Sequence, residues 1–126
     1  MPAYDGQYNP PAPIADLTIA HPVSGAKSAP LSGKLDTGAG LSVIPQRVIV
    51  QLALSPHSRI WARSYDRAYS RRLIYFAHFV LEGNELAAVQ CLAVERETAL
   101  IGRNVLNRFA ILLDGPKLRF ELKASG

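Results

Sequence analysis

The stretch KLDTGAGLSVIP, residues 34–45, decides how this chain is read. It sets one carboxylate, Asp36, ahead of the small residues Thr37, Gly38, Ala39 and Gly40. An apolar run then resumes at Leu41, Val43 and Ile44. Small side chains let backbone come close to whatever the acid faces, which marks a site rather than an ordinary turn. Acid–base work on an unreactive bond uses two groups, one to take a proton and one to give it. Only one of the two is visible in this stretch.

Working outward, Leu31 to Leu35 reads as the strand that delivers Asp36, preceded by turn chemistry in VSGAKSAP. Before that, IADLTIAH reads as a strand with Ile14, Leu17 and Ile19 as its apolar positions, and residues 1–13 read as a flexible Pro-rich lead-in. On the other side, Pro45 suits the first turn of a helix. QRVIVQLAL places Val48, Ile49 and Leu52 on one helical face, and Ser55-Pro56 ends it. LIYFAHFVL (73–81) and LAAVQCLAV (86–94) are two β-rich runs about Glu82-Gly83-Asn84-Glu85, a hairpin signal. RNVLNRF (103–109) reads as a short helical turn, and residues 109–122 as a second hairpin turning at Asp114-Gly115-Pro116-Lys117. The sum is a mostly β domain over residues 14–126 with one or two short helices.

The bulk numbers fit that reading. A chain of 126 residues with 48% apolar content suits one compact domain. No apolar run approaches the roughly 20 residues that span a bilayer. MPAYDGQYNPPAP lacks the basic start and apolar centre of a secretory signal, so a cytoplasmic location and no membrane contact are expected. The one cysteine, Cys91, lies in the apolar stretch AAVQCLAV and reads as a buried, inert thiol. His21, His57 and His78 have no metal-ligand spacing, so neither a metal nor a cofactor is expected.

Asp-Thr-Gly alone is a modest signal, since a given tripeptide arises by chance in about 1–2% of chains this long. The extended pattern, apolar-Asp-Thr-Gly-Ala-x-x-Ser-apolar-apolar over Leu35 to Ile44, is far more specific. It resembles the active-site loop of retropepsin-like aspartic peptidases, and the long helix-like PQRVIVQLAL that follows is similar to that of the cellular and bacterial members of the group. ALIGRNVL (99–106) is similar to the apolar-apolar-Gly-Arg-Asn motif that follows in that family, here Leu100, Ile101 and Gly102 before Arg103 and Asn104.

That resemblance implies a closed, barrel-like β domain equivalent to half of a pepsin. It implies an aspartic endopeptidase acting on proteins or peptides, with Asp36 catalytic and Thr37, Gly38 and Ala39 supporting its loop. Two such loops meet across a two-fold axis, where carboxylates about 3 Å apart share one proton and so divide the acid and base roles. Thr37 would lock the two loops together, Gly38 would let them approach, and Gly102 would let the following strand pass behind. Asp-Thr-Gly occurs once in this chain, and Asp5, Asp16, Asp66 and Asp114 lack the Thr-Gly that should follow. The second carboxylate is therefore expected from Asp36 of another copy, which makes the protein a homodimer with an inactive monomer. Ala39 brings no hydroxyl to the carboxylate, so a mildly rather than strongly acidic working range is expected.

Two features depart from the viral pattern. The residue after Asp-Thr-Gly-Ala, often an acid that pairs with the arginine of Gly-Arg-Asn, is Gly40, which leaves Arg103 without that partner. The second departure is the region 59–75, where a glycine-bearing flap is expected. RSYDRAYSRR has no glycine, and Arg59, Arg63, Arg67, Arg71 and Arg72 crowd into it. Read as a strand, it presents Arg63, Tyr65, Arg67 and Tyr69 on one face, suited to gripping an extended peptide. Read as a helix, Arg59, Arg63, Arg67 and Arg71 form a basic stripe. A solvated surface and a face for nucleic acid are the other readings of these residues. The alternative to a peptidase is thus a catalytically inactive retropepsin-like dimerisation or binding module that contacts nucleic acid through segment 59–72.

Overall fold

Alternation drives the first strand. In Ile14–Ala20 (β1), Ala15, Leu17 and Ile19 are buried while Asp16 faces solvent. The computed structural model describes residues 1–63 and 69–124, with backbone alone over 58–63 and 69–71. β1 pairs antiparallel with Leu31–Leu35 (β2), in the register Leu17 to Leu31 and Ile14 to Lys34. Ser42–Pro45 (β3) runs directly into a seven-residue helix, Gln46–Leu52 (α1), whose inward face is Val48, Ile49 and Leu52 as expected. The helix stops at Ala53, which adopts the left-handed conformation (φ 52°) although it is not glycine.

Pro56–Arg63 (β4) and Tyr69–Leu81 (β5) are antiparallel partners from Pro56–Tyr75 out to Arg63–Tyr69. The strand reading of this arginine-rich region therefore holds for its described residues, and the helical one does not. β5 then turns into Asn84–Val94 (β6), with Leu81 opposite Asn84. The two residues between them, Glu82 (φ 47°) and Gly83 (φ 79°), are both left-handed, as a type I′ turn requires. Further along, β6 carries one extra residue around Ala87-Ala88 opposite His78, a bulge in which Ala88 takes φ 54°.

Ala99–Ile101 (β7) completes the main sheet, whose order is β1-β2-β7-β3-β6-β5-β4. A further pairing of β1 with β5, from Leu17–Leu81 to Ala20–His78, closes six of these strands into a ring. Along one side of β5, residues 69–75 hold β4 and residues 78–81 hold β1. Closure leaves no open edge between β1 and β5 and encloses Leu17, Ile19, Ile44, Phe79, Leu81, Val89, Cys91 and Ile101.

After the short helix Arg103–Leu106 (α2), Phe109–Asp114 (β8) and Arg119–Ala124 (β9) form a separate two-stranded sheet. Phe120 is fully buried and anchors that hairpin to the core. The Pro-rich lead-in makes backbone contacts with this hairpin. The Tyr4 N–H donates to the Leu118 carbonyl (2.8 Å), the Phe120 N–H donates to the Pro2 carbonyl (2.9 Å), and Asp5 bridges to Ala12. Among the described residues no helix is long and apolar enough to cross a membrane.

Candidate active site

Asp36 stands where β2 ends. β2 and β3 are only seven residues apart in sequence, yet they are not neighbours in the sheet, because β7 lies between them. β7 runs parallel to β2 (Leu35 beside Ile101) and antiparallel to β3 (Val43 beside Leu100). The loop of residues 36–41 therefore arches over the end of β7. The Asp36 N–H donates to the Ile101 carbonyl (2.9 Å), which fixes the start of the arch on that strand. The arch then folds back on itself: the Ala39 N–H reaches the Asp36 carbonyl (3.2 Å), and the Gly38 N–H donates to Asp36 Oδ1 (2.9 Å).

Gly102 explains why a glycine follows β7. A Cβ built on it would lie 2.7 Å from the Leu41 carbonyl carbon, 2.8 Å from its oxygen and 2.9 Å from the Ser42 nitrogen. Backbone passes behind the arch with no room for a methyl group. Ser42, the one buried polar side chain among the described residues, sits at this crossing. Its hydroxyl accepts the Gly102 N–H (2.9 Å) and donates to Asn104 Oδ1 (3.0 Å). Asn104 Oδ1 also accepts the Ser42 N–H (3.0 Å), and Nδ2 donates to the Gln90 carbonyl (2.8 Å). One amide side chain thus joins the arch, β6 and α2, and every buried polar atom at the crossing that these bonds reach has a partner.

Arg103 holds the outer side of the arch. Its backbone N–H donates to the Ala39 carbonyl (2.8 Å), and the next residue's N–H, from Asn104, donates to the Gly40 carbonyl (3.1 Å). Its guanidinium Nη1 donates to the Thr37 carbonyl (2.6 Å). The Thr37 carbonyl takes one amino group of the guanidinium, while Gly40 leaves open the place where an acid at that position would stand. The result is a half-buried carboxylate on a loop fixed at both ends, with Thr37 and Gly38 exposed beside it.

Of the residues singled out from sequence, Asp36, Thr37, Gly38 and Ala39 lie together on this arch, with Leu100, Ile101 and Gly102 beneath it. Arg63 and Tyr69 are backbone partners at the described end of the β4–β5 hairpin. Tyr65 and Arg67 lie outside the described residues. Ser42 and Asn104 both stand in the two motifs, but sequence reasoning gave neither a role and missed their contact. The signal was there as a serine inside the apolar run LSVIP and an asparagine ahead of VL, but nothing in the order of residues joins them. No trio of His, Cys, Asp or Glu that could hold a metal occurs among the described residues. His21 Nδ1 caps its own loop, accepting the N–H groups of Val23 and Ser24, and His57 packs edge-on against Phe76. An open cleft of about 800 Å³ lies at the far end of β2, between Leu31, Arg47 and Thr98, and Asp36 does not line it. Its walls carry charge of both signs, from Arg47, Arg96, Glu95 and Glu97.

A six-stranded ring with β7 threaded between β2 and β3, and an Asp-Thr-Gly arch held from behind by Gly102, defines a retropepsin-like fold. Solved structures agree. The foamy viral protease–reverse transcriptase, determined in complex with an RNA/DNA hybrid, superposes on 79% of this chain with a TM-score of 0.59 and 14% identity. This chain spans 12% of that much longer polypeptide. The protease of simian foamy virus (mac) superposes on 75% of this chain, covering 91% of its own length, with a TM-score of 0.56 and 17% identity. No protein-family model and no curated protein matches the sequence.

Proposed function

We propose that the chain is an aspartic endopeptidase that hydrolyses peptide bonds as a homodimer, with domain 14–126 contributing one half of the active site. The observation that carries this is the arch itself. A single carboxylate is held half-buried by its own loop, beside exposed Thr37 and Gly38, with no second Asp-Thr-Gly in the chain. Two copies brought together through Thr37 and Gly38 would set two Asp36 carboxylates side by side. One, ionised, takes a proton from water as it attacks the scissile carbonyl carbon, and the other gives its proton to the carbonyl oxygen. In this reading Ala39 completes the loop wall. Arg63, Tyr65, Arg67 and Tyr69 are the residues that would grip an extended peptide in this reading.

The test is cleavage of a peptide mixture by wild type and by Asp36→Asn, with the association state of both followed by sedimentation. The variant should lose about 10³-fold or more in rate while remaining dimeric, since one acid–base pair contributes on the order of 10²–10⁴. A dimeric wild type that cleaves nothing would sink the proposal and leave a binding module. Monomeric wild type that cleaves at full rate would sink the shared-site mechanism.

A further inference from the structure

We infer that Arg103 and Gly40 form a carboxylate-binding subsite that gives the enzyme a preference for an acidic side chain in its peptide substrate. This rests on the peptidase reading above and deepens it.

A guanidinium carries five N–H donors in a fixed fork. In Arg103 one edge is committed: Nη1 bonds the Thr37 carbonyl at 2.6 Å, and the residue's own N–H bonds Ala39. Those two bonds hold the cation in place on the Asp36 arch. Its other amino group, Nη2, stands over Gly40, where an added Cβ would lie 3.6 Å away. Glycine leaves that approach open, because a longer side chain on residue 40 would stand in it. Arg103, Gly40, Gly38 and Thr37 are all exposed. Among the described residues the one ion pair is Arg119–Asp114, so Arg103 carries a fixed charge with none of their carboxylates upon it.

A positioned guanidinium with an open edge takes a carboxylate through two parallel charge-assisted hydrogen bonds. An extended peptide advances about 3.3 Å per residue, so a chain whose scissile bond lies over Asp36 and which runs along residues 37–40 presents Arg103 with a side chain roughly two to four residues away. In a two-fold dimer the subsite occurs twice. The preference therefore falls at two positions, one on each side of the scissile bond. This placement separates it from any general attraction exerted by the arginines of segment 59–72.

The experiment uses a set of decapeptides that differ by Glu or Gln at each position in turn, and reads the Glu/Gln ratio of kcat/KM. Wild type should favour Glu by about ten-fold at one position on each side of the cut. The informative variant is Gly40→Asp. Gly40 has no left-handed φ to strain, the Arg103–Thr37 bond is left in place, and the new carboxylate sits against Nη2. At the two positions its ratio should fall to one or below, while ratios elsewhere stay as in wild type. Because the ratio is internal to each protein, a change in overall activity does not disturb it.

Equal cleavage of Glu and Gln peptides by wild type at every position overturns the inference, as does a Glu preference that survives Gly40→Asp. A Gly40→Asp variant with an altered dimer dissociation constant and an unaltered ratio also overturns it, since Arg103 would then face the partner copy. If wild type cleaves none of the set, the peptidase reading fails by itself. Fluorescence anisotropy of the same peptides, labelled, then reads the subsite directly, with ten-fold tighter binding of one Glu peptide expected and equal binding overturning it.

Discussion

Replacing one hydrogen of Gly102 by a methyl group drives a carbon into backbone atoms of Leu41 and Ser42 at 2.7–2.9 Å, and backbone cannot rotate away as a side chain can. Gly102→Ala should therefore lower stability by about 2–3 kcal/mol, within the range for overpacked sites, read as a lower urea midpoint at unchanged slope. It should also slow cleavage, because the atoms pushed are those of the Asp36 arch. At this scale much of the site was legible. Asp36, its small neighbours and Gly102 are adjacent residues whose types are dictated by close backbone approach, so their spacing speaks. The link between Ser42 and Asn104 was silent, although both stand in the motifs, because their bonds join positions 62 apart, and polarity alone does not say which buried polar residue meets which. Arg103 lacks the acid at residue 40 that the sequence pattern leads one to expect; in the structure Nη1 bonds the Thr37 carbonyl and Nη2 faces Gly40.

The β5–β6 hairpin turns through Glu82, an L-residue held at φ 47°. Burial raises the Glu82 carboxyl above its ordinary 4.5, with nearby Asp16 adding to the effect. A raised carboxyl favours its protonated form in the fold. The stability it allows is complete below pH 4.5 and falls as the pH climbs through the folded value. Glu82→Asn removes that titration and supplies a side chain at ease in the left-handed region. It should stabilise the protein by roughly 0.5–1 kcal/mol at pH 7, with a smaller gain at pH 4, measured by thermal unfolding at both. The sequence pointed to this hairpin within Glu82-Gly83-Asn84-Glu85, and the turn proper falls on the first two of the four. The arginine-rich segment was harder. Arginines four apart satisfy both a period of two and a helical face, and the choice fell to pairing of residues 59–63 with 69–73, which a local pattern does not contain. The left-handed end of α1 at Ala53 was likewise hidden, since alanine carries no turn signal.

Across the whole molecule, closure of the ring by β1 on β5 puts Cys91 in a fully buried position, where burial pushes its thiol up to about 12. The folded protein should resist iodoacetamide at pH 8, with labelling appearing only at the rate of unfolding. The sign for stability follows from the same shift. In the unfolded chain the thiol ionises near 9.0, whereas in the fold it stays neutral, so its contribution is complete below pH 9 and is lost as the pH rises toward 12. Cys91→Ala should accordingly show a shallower loss of stability between pH 9 and 11 by urea titration. A buried inert thiol was readable from its apolar surroundings. Strand order was not: local alternation announces strands and nearby turns, while the insertion of β7 and the docking of residues 2–4 on β9 are set by burial between distant segments.

The slot between β2 and β3 carries a consequence in time. A polypeptide emerging from its N-terminus produces Asp36 and both flanking strands early, but the strand that fills the gap begins only at Ala99. Until then the Asp36 N–H lacks the Ile101 carbonyl, Ser42 lacks Asn104, and nothing lies beneath the arch. A half-made chain holds every residue of the Asp-Thr-Gly stretch and none of its shape. The arch reaches its shape only once the residues through Asn104 have been made, so a shorter N-terminal piece carries Asp36 without the geometry that surrounds it here.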